Sequence, residues 1–272
     1  MGPHSNTLET EYYSPRRLFH SFAPRIMGTK LEFIMTGPSE EESERIWAKL
    51  LSEAQALESL LSRFDGSSEV SALNSISQAG EVFPSHELLE IIADAEEYRM
   101  LTSGLFDVTL GTSKPSLVLS GRGVDLRGGS LDFGGYAKGL LCRRAKALLS
   151  GEPAVESAYL DFGGSSITTI GTHPFGDCWK VSVCDPFSGR MLKEVELRGS
   201  SLSVSGSQPH YEGHIKDPRS GRIIEGRCLV ICEAPDPLDA EVGSTAAVVS
   251  GGEKLEFLQK NLHLSQVSFF NL

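Results

Sequence analysis

The sequence predicts an α+β fold in which helices cover mixed or antiparallel strands, in one lobe or two. Three features predict it. Helical periodicity marks stretches before residue 104, after residue 135 and near the end of the chain, while strand-like runs crowd residues 158–233. A glycine-rich stretch from Arg122 to Gly135 separates the first helical part from the strands. No internal repeat or low-complexity linker divides the chain. Residues 22–272 therefore read as one domain behind a polar, patternless arm over 1–21, expected to be flexible.

The elements follow in order. Lys30 to Met35 reads as a strand. Ser39 opens a long helix, because its hydroxyl can cap free amides and Glu42 completes a capping box. Ile46, Leu50, Leu57, Leu60 and Leu61 fall on helical spacing and should face the core. A second helix starts near Ser85, uses Leu88, Leu89, Ile92 and Ala95, and ends at Gly104. A helix stop followed by a strand is expected over Thr102–Thr109. The next helix begins after Gly135 and closes at Gly151. Strands follow at 158–160, 167–170, 179–184, 191–206 and 226–233, the third ending at Asp185-Pro186. Helical pattern returns over 238–250, and a last helix covers about 252–262.

Composition narrows the function. A formal net charge of −11 argues against nucleic acid as the main partner. No apolar run approaches the ~18 residues that span a bilayer, so no membrane span is expected. Cys142, Cys178, Cys184, Cys228 and Cys232 form no CxxC pair and read as small core thiols of a reducing compartment. Cys228 and Cys232, four apart in a strand-like run, should share one face. With no signal-peptide pattern at the start, the expected location is cytoplasmic. A leader removed upstream would place the protein outside the cytoplasm instead.

Four segments carry residues suited to chemistry. In Leu131 to Gly139, paired glycines before a helix leave backbone N–H groups open to an anion, and Lys138 can neutralise a phosphate. Asp132 can accept hydrogen bonds from a ribose or ring. The spacing is neither a P-loop nor a Rossmann fingerprint, and a tight turn with a solvated lysine accounts for it equally well. In His214 to Gly221, a histidine, a residue type able to accept a proton from an attacking hydroxyl, precedes Asp217-Pro218, which is also plain turn chemistry. In Asp239 to Thr245, Glu241 and Thr245 share a helical face and present oxygen ligands suited to Mg²⁺, or else a solvated face and a cap. In Thr102 to Thr109, Phe106 can stack on an aromatic ring or simply fill the core.

The order of these and other blocks is more specific than any one of them. Met27-Gly28-Thr29 comes first, then Leu61-Ser62-Arg63-Phe64 with Ser68 to Asn74, Thr102 to Thr109, and Asp132 to Gly139. Gly163-Gly164 with Trp179, Val181 and Asp185-Pro186 follow. Ser205-Gly206 with His214 to Gly221, and Ala240-Glu241 to Thr245-Ala246, complete the set. From about Arg25 to Gly252 the chain resembles the ApbE-like flavin transferases.

That resemblance implies transfer of FMN from FAD to a threonine or serine hydroxyl of an acceptor flavoprotein, with Mg²⁺ and release of AMP. It implies that Met27, Phe64, Leu105, Phe106 and Asp107 line the flavin and adenosine pocket, with Ile215 beside them. Asp132 and Lys138 would hold FAD. The carbonyl near Gly135, with Glu241, Ser244 and Thr245, would hold the metal. His214 would lie beside the reacting phosphorus as the base, with Asp107 the second candidate. The chain departs from the family pattern at Glu241 (usually Asp), Arg143 (often acidic), Gly213 (often His) and Val204 (commonly Thr). These departures surround the reactive end. They make an FAD-binding protein, or an Mg²⁺-dependent FAD pyrophosphatase with little transferase activity, the alternative expectation.

Overall fold

The computed structural model describes residues 8–76, 80–112, 117–209 and 215–272. In chain order the elements are β1 (Glu9–Tyr13), β2 (Leu18–Ile26), β3 (Thr29–Thr36), α1 (Glu40–Leu61), α2 (Glu69–Ile76), β4 (Glu81–Val82) and α3 (His86–Leu101). Then come β5 (Val118–Ser120), β6 (Gly123–Asp125), α4 (Ala137–Ser150), β7 (Ser157–Phe162), β8 (Ser166–Ile170), β9 (Trp179–Cys184) and β10 (Met191–Leu197). β11 (Ser201–Gly206), β12 (Cys228–Ala234), α5 (Pro237–Val249), α6 (Leu255–Asn261) and β13 (Gln266–Asn271) close the chain.

The frame is an 8-stranded sheet in the order β1-β2-β3-β7-β8-β11-β12-β13. Every pairing in it is antiparallel, which resolves the mixed-or-antiparallel expectation. β9 and β10 form a separate hairpin, and β4, β6 and β5 a small third sheet. Among the described residues, no helix is long and apolar enough to cross a membrane.

Both faces of the large sheet are covered, and strand alternation decides what goes where. Phe33, Met35, Leu160, Phe162, Val230 and Cys232 pack with the helices in the main core. Ile167, Leu202, Leu229 and Ile231 point the other way and pack under Trp179, Val183, Val195 and Leu197 of the β9–β10 hairpin. Burial on both faces explains the unbroken apolar run Leu229–Cys232. Each such Leu, Ile or Phe contributes about 1.5–3 kcal/mol. Cys228 and Cys232 share the helix-facing core as expected, while Cys184 is the exposed exception among the thiols.

Local chemistry sets the helix ends. Ser39 and Glu42 form the full capping box of α1, and Ser85 caps α3 through the Leu88 amide. Gly104, at φ 75°, turns the chain out of α3 and donates its N–H to the Arg99 carbonyl at 2.8 Å. The buried face of α3 is Leu88, Ile91, Ile92, Ala95 and Tyr98, so Ile91 takes the place expected for Leu89.

Several expectations are corrected. Within the arm expected over 1–21, residues 9–13 form β1 and residues 18–21 begin β2, so these parts are strands and not loose. β1 is an edge strand with almost every side chain exposed, and β2 alternates in burial but puts Ser21 on the buried face and Phe22 on the other, so neither shows an alternation of apolar residue type in the sequence. Thr102–Thr109 ends in turns, not a strand. The Thr102 hydroxyl accepts the Phe106 N–H at 3.1 Å and Asp107 accepts the Thr109 N–H at 2.7 Å, which replaces ladder bonding. The short α2, the small sheet and β13 went unforeseen, each being too short or too near a terminus to show a period.

Candidate active site

Lys138 and Glu241 form the centre of a buried polar cluster. Lys138 sits in the first turn of α4 and Glu241 in the first half of α5. Their charged atoms lie 3.3 Å apart, and the Glu241 side chain is only 4% exposed. The helices approach this closely because Gly139 faces α5: a Cβ there would stand 2.6 Å from the Glu241 Cβ.

Serines complete the cluster. The Ser166 and Ser203 hydroxyls each donate to Glu241 Oε2 at 2.7 Å. The Lys138 ammonium donates to Ser165 Oγ at 2.7 Å and to Ser166 Oγ at 3.0 Å. Ser244 Oγ bonds to Ser203 at 3.0 Å and to Ser205 at 2.7 Å, and donates to the Glu241 carbonyl at 3.0 Å. Thr245 donates to the same carbonyl at 3.2 Å, and its hydroxyl lies 3.4 Å from Ser205 Oγ. Gly135 faces Thr245, with its Cβ position 3.4 Å from Thr245 Oγ1 and 3.7 Å from the Phe106 ring. Ser165, Ser166 and Ser203 were not singled out from the sequence, and Ser205 only as part of the Ser205-Gly206 block. Serines at alternate positions of Ser201 to Ser205 were the available signal, since they put three hydroxyls on one strand face.

These oxygens suit a hard divalent cation by type. Mg²⁺ is commonly held by one or two carboxylates with substrate phosphates and water, and one carboxylate beside several hydroxyls matches that habit. Among the described residues there is no group of three or more His, Cys, Asp or Glu that would suit a softer or all-protein site.

The other residues singled out in the sequence lie on neighbouring segments, with Phe106 facing Gly135. Asp132 accepts the Gly134 N–H at 2.9 Å and pairs with Arg63 at 2.8 Å, while its own N–H donates to the Val108 carbonyl at 2.7 Å. The Arg63 guanidinium also lies over the Phe64 ring, 4.3 Å from its centroid, and Phe64 is 84% exposed. Leu105 and Phe106 are buried, and Phe106 stacks on Tyr136 at 6.2 Å. Asp107 is half-buried, its Oδ1 taken by the Thr109 N–H and hydroxyl. Met27, at φ 48°, forms the β2–β3 turn with Gly28. The adjoining Thr29 lies where a Gly163 Cβ would fall, 2.2 Å from its hydroxyl, so this turn abuts the Gly163-Gly164 turn that carries Ser165.

His214 lies outside the described residues, as does Gly213. The turn that follows packs on the 102–112 segment: a Cβ on Gly111 would strike the Pro218 carbonyl at 1.7 Å. Ile215 is half-buried against the main core. Asp217 accepts from the Arg219 N–H at 2.9 Å and the Ser220 hydroxyl at 3.1 Å, so its carboxylate is committed within the turn. Asp185 to Arg190 makes the same turn elsewhere, with Gly189 N–H to Asp185 O at 2.8 Å matching Gly221 N–H to Asp217 O at 2.8 Å. The Asp-Pro signal is therefore turn chemistry in both places.

Arg143, a departure from the family pattern, is held by acids around it. It meets Asp94 at 3.3 Å, Asp236 at 2.9 Å and Asp239 at 3.8 Å, and donates to the Tyr98 hydroxyl. Burial holds the Asp239 carboxyl above its ordinary range and pushes the Tyr98 and Tyr136 hydroxyls strongly up. A cavity of about 320 Å³ lies beneath the β9–β10 hairpin, lined by Tyr159, Asp161, Lys180 and Gln208 among others. It is on the far face of the sheet and holds none of the predicted site residues.

A model of the ApbE family matches residues 27–118 and 117–268, which is most of the chain. The chain belongs to the ApbE family. The FAD:protein FMN transferase of Klebsiella pneumoniae (strain 342) is 22% identical over 280 residues, covering 85% of this chain and 79% of that protein. This ApbE-family chain also shares its fold with solved structures. The flavin transferase ApbE of Vibrio cholerae superposes with a TM-score of 0.78 at 20% identity, covering 94% of this chain and 93% of that one. The flavinyl transferase ApbE of Pseudomonas stutzeri, in its apo form, gives 0.76 at 24% identity, covering 100% and 93%. The ApbE protein of Thermotoga maritima gives 0.76 at 20%, covering 91% and 94%.

Proposed function

We propose that this protein is an Mg²⁺-dependent FAD:protein FMN transferase that acts on a threonine or serine hydroxyl of an acceptor flavoprotein. The observation that carries the reading is the meeting of Lys138, Glu241, Thr245 and Gly135 in one oxygen-lined cluster, built from α4, α5 and the segment before α4. The acceptor oxygen attacks the FMN phosphorus of FAD, forming the new phosphorus–oxygen bond as the bond to AMP breaks. The hydroxyl proton leaves to a base, for which His214 is the candidate and Asp107 the second.

The chain's own groups have separate tasks. Lys138 meets charge on the diphosphate, and the positive end of the α4 dipole adds to it. Phe64 supplies an exposed aromatic face for a flavin or adenine ring. Met27, Leu105, Phe106 and Ile215 give apolar walls, and Asp132 orients polar edges. Glu241 and Thr245, with Ser244 and the carbonyl near Gly135, would hold Mg²⁺, which supplies neutralisation of phosphate charge when bound. Positioning provides much of the remainder.

The test is incubation with FAD, with and without Mg²⁺ and an acceptor domain that carries a candidate threonine, following AMP and acceptor mass. One FMN gained per acceptor only with Mg²⁺ is expected, and its loss in His214→Ala. Unchanged Mg²⁺ dependence in Glu241→Ala would sink the metal assignment. A second reading, an FAD-binding protein or FAD pyrophosphatase with little transfer, draws on a Glu241 carboxylate already engaged by Ser166, Ser203 and Lys138. Bound FAD without AMP, or AMP without a modified acceptor, would favour it.

A further inference from the structure

Each charged atom of the Lys138–Glu241 pair already has its partners. The ammonium donates to Ser165 Oγ and Ser166 Oγ at 2.7 and 3.0 Å, and it lies 3.3 Å from Glu241 Oε1 as an ion pair. Glu241 Oε2 accepts from Ser166 and Ser203. Glu241 is 3% exposed, and Lys138 is the cation paired with it. A buried carboxylate needs a counter-charge, and here a side chain supplies it. A divalent cation on this carboxylate would sit against the ammonium, and two like charges at that range repel strongly in a low-dielectric site.

We infer that Lys138 is the resident counter-ion of Glu241 and exchanges with the divalent cation, so that cation binding releases the ammonium to meet an anionic phosphate. This rests on the metal assignment proposed above. The exchange makes the cation and the phosphate bind cooperatively, because each removes the cost the other would meet. With no cation bound, the ammonium stays on Glu241 and is withheld from phosphate. Ser165 is the partner that can steer the freed ammonium, since its hydroxyl accepts from Lys138 and donates to the Phe162 carbonyl rather than to the carboxylate.

The experiment uses Mn²⁺ alone, without flavin, so it does not depend on transferase activity. Mn²⁺ affinity is measured by calorimetry at pH 8 for the parent chain, Lys138→Met and Lys138→Arg. Lys138→Met is expected to bind Mn²⁺ at least about ten-fold more tightly, the effect of removing one close positive charge, and Lys138→Arg no more tightly than the parent. Equal or weaker binding by Lys138→Met overturns the exchange. Should Lys138→Met fail to fold, the parent chain decides: Mn²⁺ should raise the rate at which Lys138 is acetylated, read by peptide mass. An unchanged or slower rate overturns the inference. Failure of the transferase reading would appear separately, as FAD that yields neither AMP nor modified acceptor.

Discussion

Replacing Gly139 with alanine tests the close approach of α4 to α5. The new Cβ would stand 2.6 Å from Glu241 Cβ, 3.0 Å from Glu241 Cγ and 3.1 Å from Leu238 Cδ1. Carbon atoms prefer about 3.5–4.0 Å, so the nearest overlap is about 1 Å. The Glu241 Cβ cannot swing away, because it is rooted in α5 and its carboxylate is pinned by Ser166, Ser203 and Lys138. The helices must part. An overlap of this size against a Cβ rooted in a helix puts the overpacking cost in the upper part of its range, about 2–3 kcal/mol, and alanine's better helix propensity offsets about 1 kcal/mol of that. The expected net loss is about 1–2 kcal/mol, or roughly 2–8 °C in melting temperature for a chain of this size. Thermal unfolding followed by circular dichroism reads it. Gly66→Ala is the control, since nothing lies within 4 Å of its Cβ position and it should change stability by under ~0.5 kcal/mol. A Gly139→Ala protein that melts at or above the parent temperature refutes the argument that the glycine exists to let α5 in.

Further outcomes follow from the surrounding charges. Arg143→Met leaves Asp94, Asp236 and Asp239 without their shared cation and should cost on the order of 2 kcal/mol, measured by denaturant unfolding; no change would show the cluster to be solvated. Asp161 is held above its ordinary value of 3.8 chiefly by burial, against the Gly164 N–H that lowers it. Its folded form therefore keeps the proton more firmly than the unfolded chain. The stability this gives is full below pH 3.8 and is lost as pH rises through the folded value. Asp161→Asn should flatten that part of the stability profile above pH 4, and an unaltered profile counts against the burial account. Phe64→Ala should leave the melting temperature within about 1 °C, because an 84%-exposed ring adds little to the core, while weakening FAD binding measured by flavin fluorescence; a large fall in melting temperature would contradict this.

Local signals determined much of the fold. Ser39 with Glu42, Ser85, Gly104 and Gly151 mark helix ends through hydrogen bonds within a few residues, so they can be read without knowing the rest of the chain. The strands from 157 to 234 were legible because both sheet faces are covered and apolar side chains line them. β1 and β2 were not, since an edge strand and a strand with buried Ser21 carry no clean period. The α2 helix and the third sheet are short and depend on neighbours for their stability.

The site divides in the same way. Lys138, Glu241, Thr245 and Gly135 stood out in the sequence because their blocks keep a recognisable order. What Glu241 touches was decided only by tertiary structure. Ser166 comes from β8, Ser203 from β11 and Lys138 from α4, so three separate segments meet one carboxylate on α5. The same holds for Arg143, whose acids come from α3, α5 and the residue that caps α5. Residue type and spacing fix which groups are available for chemistry. Their pairing depends on distances across the core, where burial makes every unpaired charge costly and so selects its partner.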